Sequence, residues 1–215
     1  MHIPDGFLSP TIAFGGYAGT GGLLWFCCRR INKTHIPTAQ LPKAALLTAA
    51  FFVASLIHIP LPPLSIHLVL NGLMGIILGY YALPAIVVGL FLQAVMFFHG
   101  GLFNLGVNAL IMGLPALFAY GTVQLGVSLP PTHWGQRILT FIAGSGALLG
   151  SALLFVGLAL STLTPELNVG LEQQALTIAG LGYGLQAVIE GVLTVIVIEF
   201  LYRVRPEILN LHRSI

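Results

Sequence analysis

Charge is what this sequence has least of: 7% of its 215 residues are Asp, Glu, Lys or Arg, where a soluble domain carries roughly a quarter. Hydrophobic residues make up 57%, so water is not the main solvent of the surface. The few cations form no basic stripe and the aromatics lie inside apolar segments, which argues against a nucleic-acid partner. Cysteine is scarce as well. Cys27 and Cys28 are adjacent, a poor geometry for bridging to each other, and neither has the spacing of a metal ligand pair, so both read as apolar filler. Two motifs are missing: GxxxxGK[ST], so ATP hydrolysis is not expected here, and HExxH, the mark of many intramembrane metalloproteases. The start of the chain lacks the basic region of a secretory signal peptide, since its first positive charge is Arg29. Met1 is therefore expected to stay, and the bulky His2 disfavours removal of the initiator methionine.

A spanning helix needs about 20 largely apolar residues, and the chain divides into seven such stretches. They run roughly over 9–28, 41–60, 67–82, 83–98, 105–126, 137–162 and 173–202. The third and fourth are short and meet at a turn around Tyr81–Pro84. Cations collect in cytoplasmic connections. Arg29, Arg30, Lys33 and Lys43 flank the first connection, Arg137 closes the fifth, and Arg203, Arg205 and Arg213 lie in the tail. With seven spans every cation falls on one side, which places the amino terminus outside; a count of six breaks this agreement. The expected fold is an all-α membrane protein, one domain over 1–215. It comprises an amino-terminal segment 1–8 folding into the bundle, seven transmembrane helices within 9–203 and a cytoplasmic tail 204–215.

The histidines sort by side. His2, His58, His67 and His99 map to the outer face, and His35, His133 and His212 to cytoplasmic segments. Clustered imidazoles suit a transition metal.

Met1-His2 has its own chelating chemistry. A free α-amine, the His2 amide nitrogen and imidazole Nδ1 close a five- and a six-membered ring around a cation, leaving three nitrogens nearly in a plane. Such donors suit Ni(II) or Cu(II), and the imidazole of His67 would fill a fourth corner. In Ile3-Pro4-Asp5-Gly6, Pro4 suits the first turn position and Gly6 the end of the turn, so the terminus could tuck into the bundle. Asp5 is either a plain turn residue or a hydrogen-bond acceptor for an imidazole N–H. Spacing alone leaves a chance Met-His start open.

MHIPDGFLSP at the start, HLVLNGLMG from His67 and FHGGLFNLGVN around His99 resemble the CbiM/NikM family, the substrate-binding S components of energy-coupling-factor transporters for cobalt and nickel. The resemblance runs over essentially the whole chain. It implies a seven-helix protein whose amino-terminal segment enters a central pocket, with Met1, His2 and His67 as metal ligands. It also implies a multi-pass protein of the prokaryotic inner membrane. Partners would be a transmembrane coupling component, ATP-binding cassette ATPases and often a small auxiliary membrane protein. Ni(II) or Co(II) is then cargo, and no catalytic cofactor is expected. His58 and His99 remain candidates for metal access or for hydrogen-bonding to a ligand.

Other polar residues carry two readings each. Asn71, Asn104 and Asn108 either bond helix to helix or order the amino-terminal segment. Glu190 in the last span is expected to be a protonated, hydrogen-bonded structural group, with Gln186, Gln93 or Asn71 as companions. Glu199 is expected to pair with Arg203 four residues on, and Trp25 and Trp134 to anchor at the interface. Small-residue spacings at Gly15/Gly19, Ala18/Gly22 and Ala45/Ala49 permit close helix contact; Ala45 and Ala49 are the best candidates for contact with a partner. The competing functions are an intramembrane metalloenzyme and an S component for an organic vitamin, which would need a roomy apolar pocket and no free amino terminus.

Overall fold

The computed structural model describes residues 2–33, 37–61, 64–126, 133–162 and 169–210. Met1, His35, His212, Arg213 and most of the connection expected over 128–136 lie outside the described residues.

Long apolar runs punctuated by proline and glycine form the helices α1 (Pro10–Ile31), α2 (Leu41–Leu56), α3 (Asn71–Leu78), α4 (Ala82–Phe97), α5 (Leu105–Gly126), α6 (His133–Thr162), α7 (Val169–Val204) and the single turn α8 (Glu207–Asn210). Pro10 opens α1 immediately after Ser9 and Pro42 sits in the first turn of α2, where a missing N–H costs nothing. Among the described residues one strand pair interrupts the helices. β1 (His58–Leu61) runs antiparallel to β2 (Leu64–His67), with His58 opposite His67.

Among the described residues, five stretches are long and apolar enough to cross a membrane: Thr38–Leu56, Asn71–Phe97, Leu105–Gly126, Trp134–Thr162 and Ile178–Val204. The second does not cross as one rod. A straight helix of 27 residues would be about 40 Å long, yet His67 just before α3 and His99 just after α4 have ring centroids 6.3 Å apart. The chain therefore folds back at Gly79–Tyr81, where Gly79 takes φ +57°, a conformation glycine adopts without penalty. This corrects the expected third span. It is an extended entrance over residues 68–70 followed by the eight-residue α3, only about 12 Å of helix, and it reverses earlier than the expected Tyr81–Pro84.

Helix α5 is the hub, packed against α1, α3, α4 and α6, with α7 on the far side of α6. Every residue of α3 is buried, so the bundle wraps this short helix. Backbone contact here depends on missing side chains: a Cβ at Gly72 would lie 2.8 Å from Gly144 Cα, and one at Gly75 would strike the Ala116 carbonyl. Met74, Leu78, Ile86, Leu90, Met112 and Leu148 fill the main core.

Cations gather at one end. Arg29 lies over Trp25 and Arg137 over Trp134, Arg30 reaches Tyr80, and Lys43 Nζ donates to the carbonyls of Ile77 (3.0 Å) and Ile208 (3.2 Å). Glu199 forms its ion pair with Arg137 of α6. The expected pairing with Arg203 is thus corrected, because the close α6–α7 packing presents a cation nearer than the next turn of α7 does. Cys27 is buried and Cys28 exposed, both free.

Candidate metal centre

The opposite end of the bundle holds the amino-terminal segment. Phe7 N–H bonds back to Pro4 O (3.4 Å) and Gly6 takes φ +86°, so Pro4-Asp5-Gly6-Phe7 is a tight turn with glycine at the position that requires positive φ. Ile3 is fully buried among Leu8, Val107 and Ile111. Because Ile3 lies inside the protein, its backbone polar groups need partners. Asn108 of α5 supplies both: its Oδ1 accepts Ile3 N–H at 2.9 Å and its Nδ2 donates to Ile3 O at 3.1 Å. One turn earlier, Asn104 Nδ2 donates to Pro4 O at 2.6 Å and Asn104 N–H to Asp5 Oδ1 at 3.1 Å.

The loop His99-Gly100-Gly101 closes over this segment. Both glycines have positive φ, +82° and +69°. A Cβ at Gly100 would stand 3.1 Å from His2 Cδ2, and one at Gly101 would overlap the Asp5 carboxylate. Gly100 O accepts a further bond from Asn108 Nδ2 at 3.0 Å.

Three imidazoles meet here. His2 lies 4.3 Å from His99 and 5.8 Å from His67 between ring centroids. The hydrogen bonds fix which nitrogen of His2 carries its proton. Ser55 Oγ donates to the Phe52 carbonyl (2.8 Å), so it accepts from Gln93 Nε2 (2.6 Å). Gln93 Oε1 is then an acceptor facing His2 Nε2 at 3.0 Å, which makes Nε2 the protonated nitrogen. His2 Nδ1 keeps its lone pair and receives the N–H of His99 Nε2 at 3.1 Å. Burial above all, then the amino-terminal charge and then His99 and His67, hold the His2 imidazole well below its ordinary 6.5, so the neutral ring assumed in this chain of donors is the stable one. The arrangement offers a desolvated, neutral imidazole with a donor lone pair among other nitrogens, as a transition metal requires.

The structure brings His2, His67 and His99 together and sets Asp5 and Asn104 around the same segment. Met1 lies outside the described residues. His58 reaches the site by its backbone, opposite His67 in the strand pair. Asn71 does not join the cluster: its Nδ2 donates to Ser151 Oγ at 2.8 Å and Met112 O at 3.2 Å, binding α3 to α5 and α6. Ala45 and Ala49 are exposed on α2, remote in sequence from these groups. Reading the sequence missed Gln93 as the partner of His2 and Gly100-Gly101 as a cradle. The adjacent glycines after His99 were the available signal for the second; a lone glutamine in an apolar run was a weak one for the first. Glu190 also differs from expectation. Its partners are the backbone N–H groups of Val69 and Leu70, with Leu70 N–H 3.1 Å from Oε2, rather than Gln186, Gln93 or Asn71. Both oxygens accept backbone N–H bonds.

Residues 2–208 match the family model described as cobalt uptake substrate-specific transmembrane region. A Haemophilus influenzae protein named "Putative metal transport protein" is 33% identical, over 73% of this chain and 77% of its own length. The fused nickel transport protein NikMN of Rhodobacter capsulatus is 31% identical over 70% of this chain and 43% of its own length. A crystal structure of a truncated transition metal transporter superposes with a TM-score of 0.74 at 25% identity, covering 94% of this chain and 99% of that one.

Proposed function

The chain belongs to the family of cobalt uptake substrate-specific transmembrane regions, a multi-pass cobalt and nickel transport protein, and from that premise we propose that it captures Ni(II) or Co(II) through its amino terminus. The Met1 α-amine, the His2 amide nitrogen and His2 Nδ1 form the chelate, and His67 supplies a fourth nitrogen. The observation that carries this reading is the Ser55–Gln93–His2 chain of hydrogen bonds, which leaves the lone pair on Nδ1. That is the nitrogen able to close a six-membered ring with the His2 amide.

Capture exchanges the His99 N–H at Nδ1 for the cation and releases the amide proton, so affinity rises with pH. Asp5 and Asn104 hold the segment in place, with His99 and His58 at the approach to the site; Asn71 serves packing. In the proposed orientation the cation-bearing end faces the cytoplasm, as the positive-inside tendency favours, and the site faces outside, in a prokaryotic inner membrane. ATP hydrolysis belongs to cassette ATPases acting through a transmembrane coupling component, with a small auxiliary membrane protein in some assemblies. The exposed α2 face bearing Ala45 and Ala49 is the proposed contact for the coupling component.

The names of the relatives favour metal over the competing functions: they are called metal transport proteins. The test is metal analysis of protein purified from cells supplied with both ions. About one Ni or Co per chain is expected, lost in His2→Ala; metal retained in that variant rejects the site.

A further inference from the structure

Between β2 and α3 the chain runs without helix through residues 68–70, with Val69 and Leu70 buried in the bundle. Such irregular backbone persists at membrane depth only where protein satisfies it. Helix α3 serves the Leu70 carbonyl, which accepts Met74 N–H at 2.9 Å, and α7 serves the rest of the strap with side chains. Gln186 Nε2 donates to His67 O at 2.5 Å. One turn later Glu190, the one buried carboxylate among the described residues, accepts Val69 N–H and Leu70 N–H. Leu70 has φ +55° and ψ 9°, a left-handed conformation unfavourable for a residue with a side chain. That kink turns the extended strap into α3, and its N–H is one of the two the carboxylate holds.

Leu70 is the residue before α3, so Glu190 sits at the positive end of that helix dipole, and Lys43 sits on Ile77 O at the negative end. Helix α3 is thereby fixed lengthwise, and the strap ahead of it, which ends at His67, is fixed from α7.

We propose that Glu190, with Gln186, is a positioning residue: it holds the His67 strap so that the His67 imidazole stands beside His2 as the fourth nitrogen for the metal. This rests on the metal-capture reading above. Neither side chain touches the cation. Their effect on binding passes through His67, and that distinguishes the role from general support of the fold.

The experiment is a double-mutant cycle on the full chain purified in detergent, titrated with Ni(II), with melting temperature and the visible absorption of bound Ni(II) recorded in parallel. Glu190→Gln keeps the size and one acceptor oxygen, but replaces the Oε2 acceptor of Leu70 N–H with an amide N–H that opposes that donor. It is expected to weaken Ni(II) binding about tenfold or more and to shift the absorption towards that of His67→Ala. In a His67→Ala background the same change is expected to act within about twofold. Gln186→Met gives a smaller loss with the same dependence on His67, and carries the cycle should Glu190→Gln not fold. Equal loss in both backgrounds, or wild-type binding by Glu190→Gln where His67→Ala is weakened, overturns the positioning role and leaves the metal site standing. Wild-type binding by His67→Ala overturns the metal-capture reading itself.

Discussion

Asn108 holds Ile3 as a neighbouring strand would, one amide group bonded to both the N–H and the carbonyl of the same residue at 2.9 and 3.1 Å. A side chain on a rigid helix thus reads the backbone of a segment that has no secondary structure of its own. Replacing it with leucine leaves three buried polar groups unpaired, the Ile3 N–H and carbonyl and the Gly100 carbonyl, at about 1–3 kcal/mol each. Asn108→Leu is therefore expected to release the amino-terminal segment while the bundle stays folded. Loss of hydrogen-exchange protection confined to residues 2–8, together with loss of bound metal, is the result to look for.

The glycine cradle makes a sharper steric prediction. Gly101→Ala combines a positive φ with a Cβ that overlaps the Asp5 carboxylate, so the Pro4–Phe7 turn must move. Gly21→Ala, a helical position with no atom within 4 Å of the added carbon, gains helix propensity by up to about 1 kcal/mol. Metal content should fall in the first variant and remain in the second; equal behaviour would remove the cradle from the account.

Gln93 and His99 touch opposite nitrogens of His2, and their substitutions should differ. Gln93→Leu removes the acceptor that keeps the proton on Nε2, and affinity for Ni(II) is expected to drop by about 10–100-fold. His99→Ala removes only the N–H that the cation displaces, so stoichiometric binding should survive. Calorimetric titration of both variants separates the roles.

Acidification should loosen the same segment without metal. Burial, first among the causes, holds folded His2 well below 6.5, so the unfolded or released segment binds the proton more readily. The contribution of His2 is fully present above about pH 6.5 and declines as pH falls from there towards the folded value. Hydrogen exchange of Ile3 measured from pH 7.5 downwards, with exchange chemistry corrected, should show protection decreasing below about 6.5; constant protection to pH 5 would contradict the buried neutral imidazole.

How far the sequence disclosed all this depended on the range of the interactions. Apolar runs gave α1, α2, α5, α6 and α7 closely, because burial in a bilayer leaves a long local signature. MHIPDG and the histidines pointed to the site, since turn chemistry and chelation are local too. The fold-back of α3 on α4 was legible only as two short spans. Its extended entrance was not, because what permits it is a carboxylate on α7 about 120 positions away. Glu199 illustrates the same limit: its neighbour in the helix is visible in the sequence, but the cation it meets, Arg137, is brought up by packing between helices.

Metal capture as proposed depends on one nitrogen above all, the α-amine of Met1. Adding a short extension ahead of Met1 converts that amine to an amide, whereas an equal extension after Ile215 leaves it intact. Metal content of the two purified proteins, each set against the unmodified chain, is the direct measurement. Stoichiometric Ni or Co is expected in the carboxyl-terminally extended protein and none in the amino-terminally extended one; stoichiometric metal in both rules out capture through the α-amine.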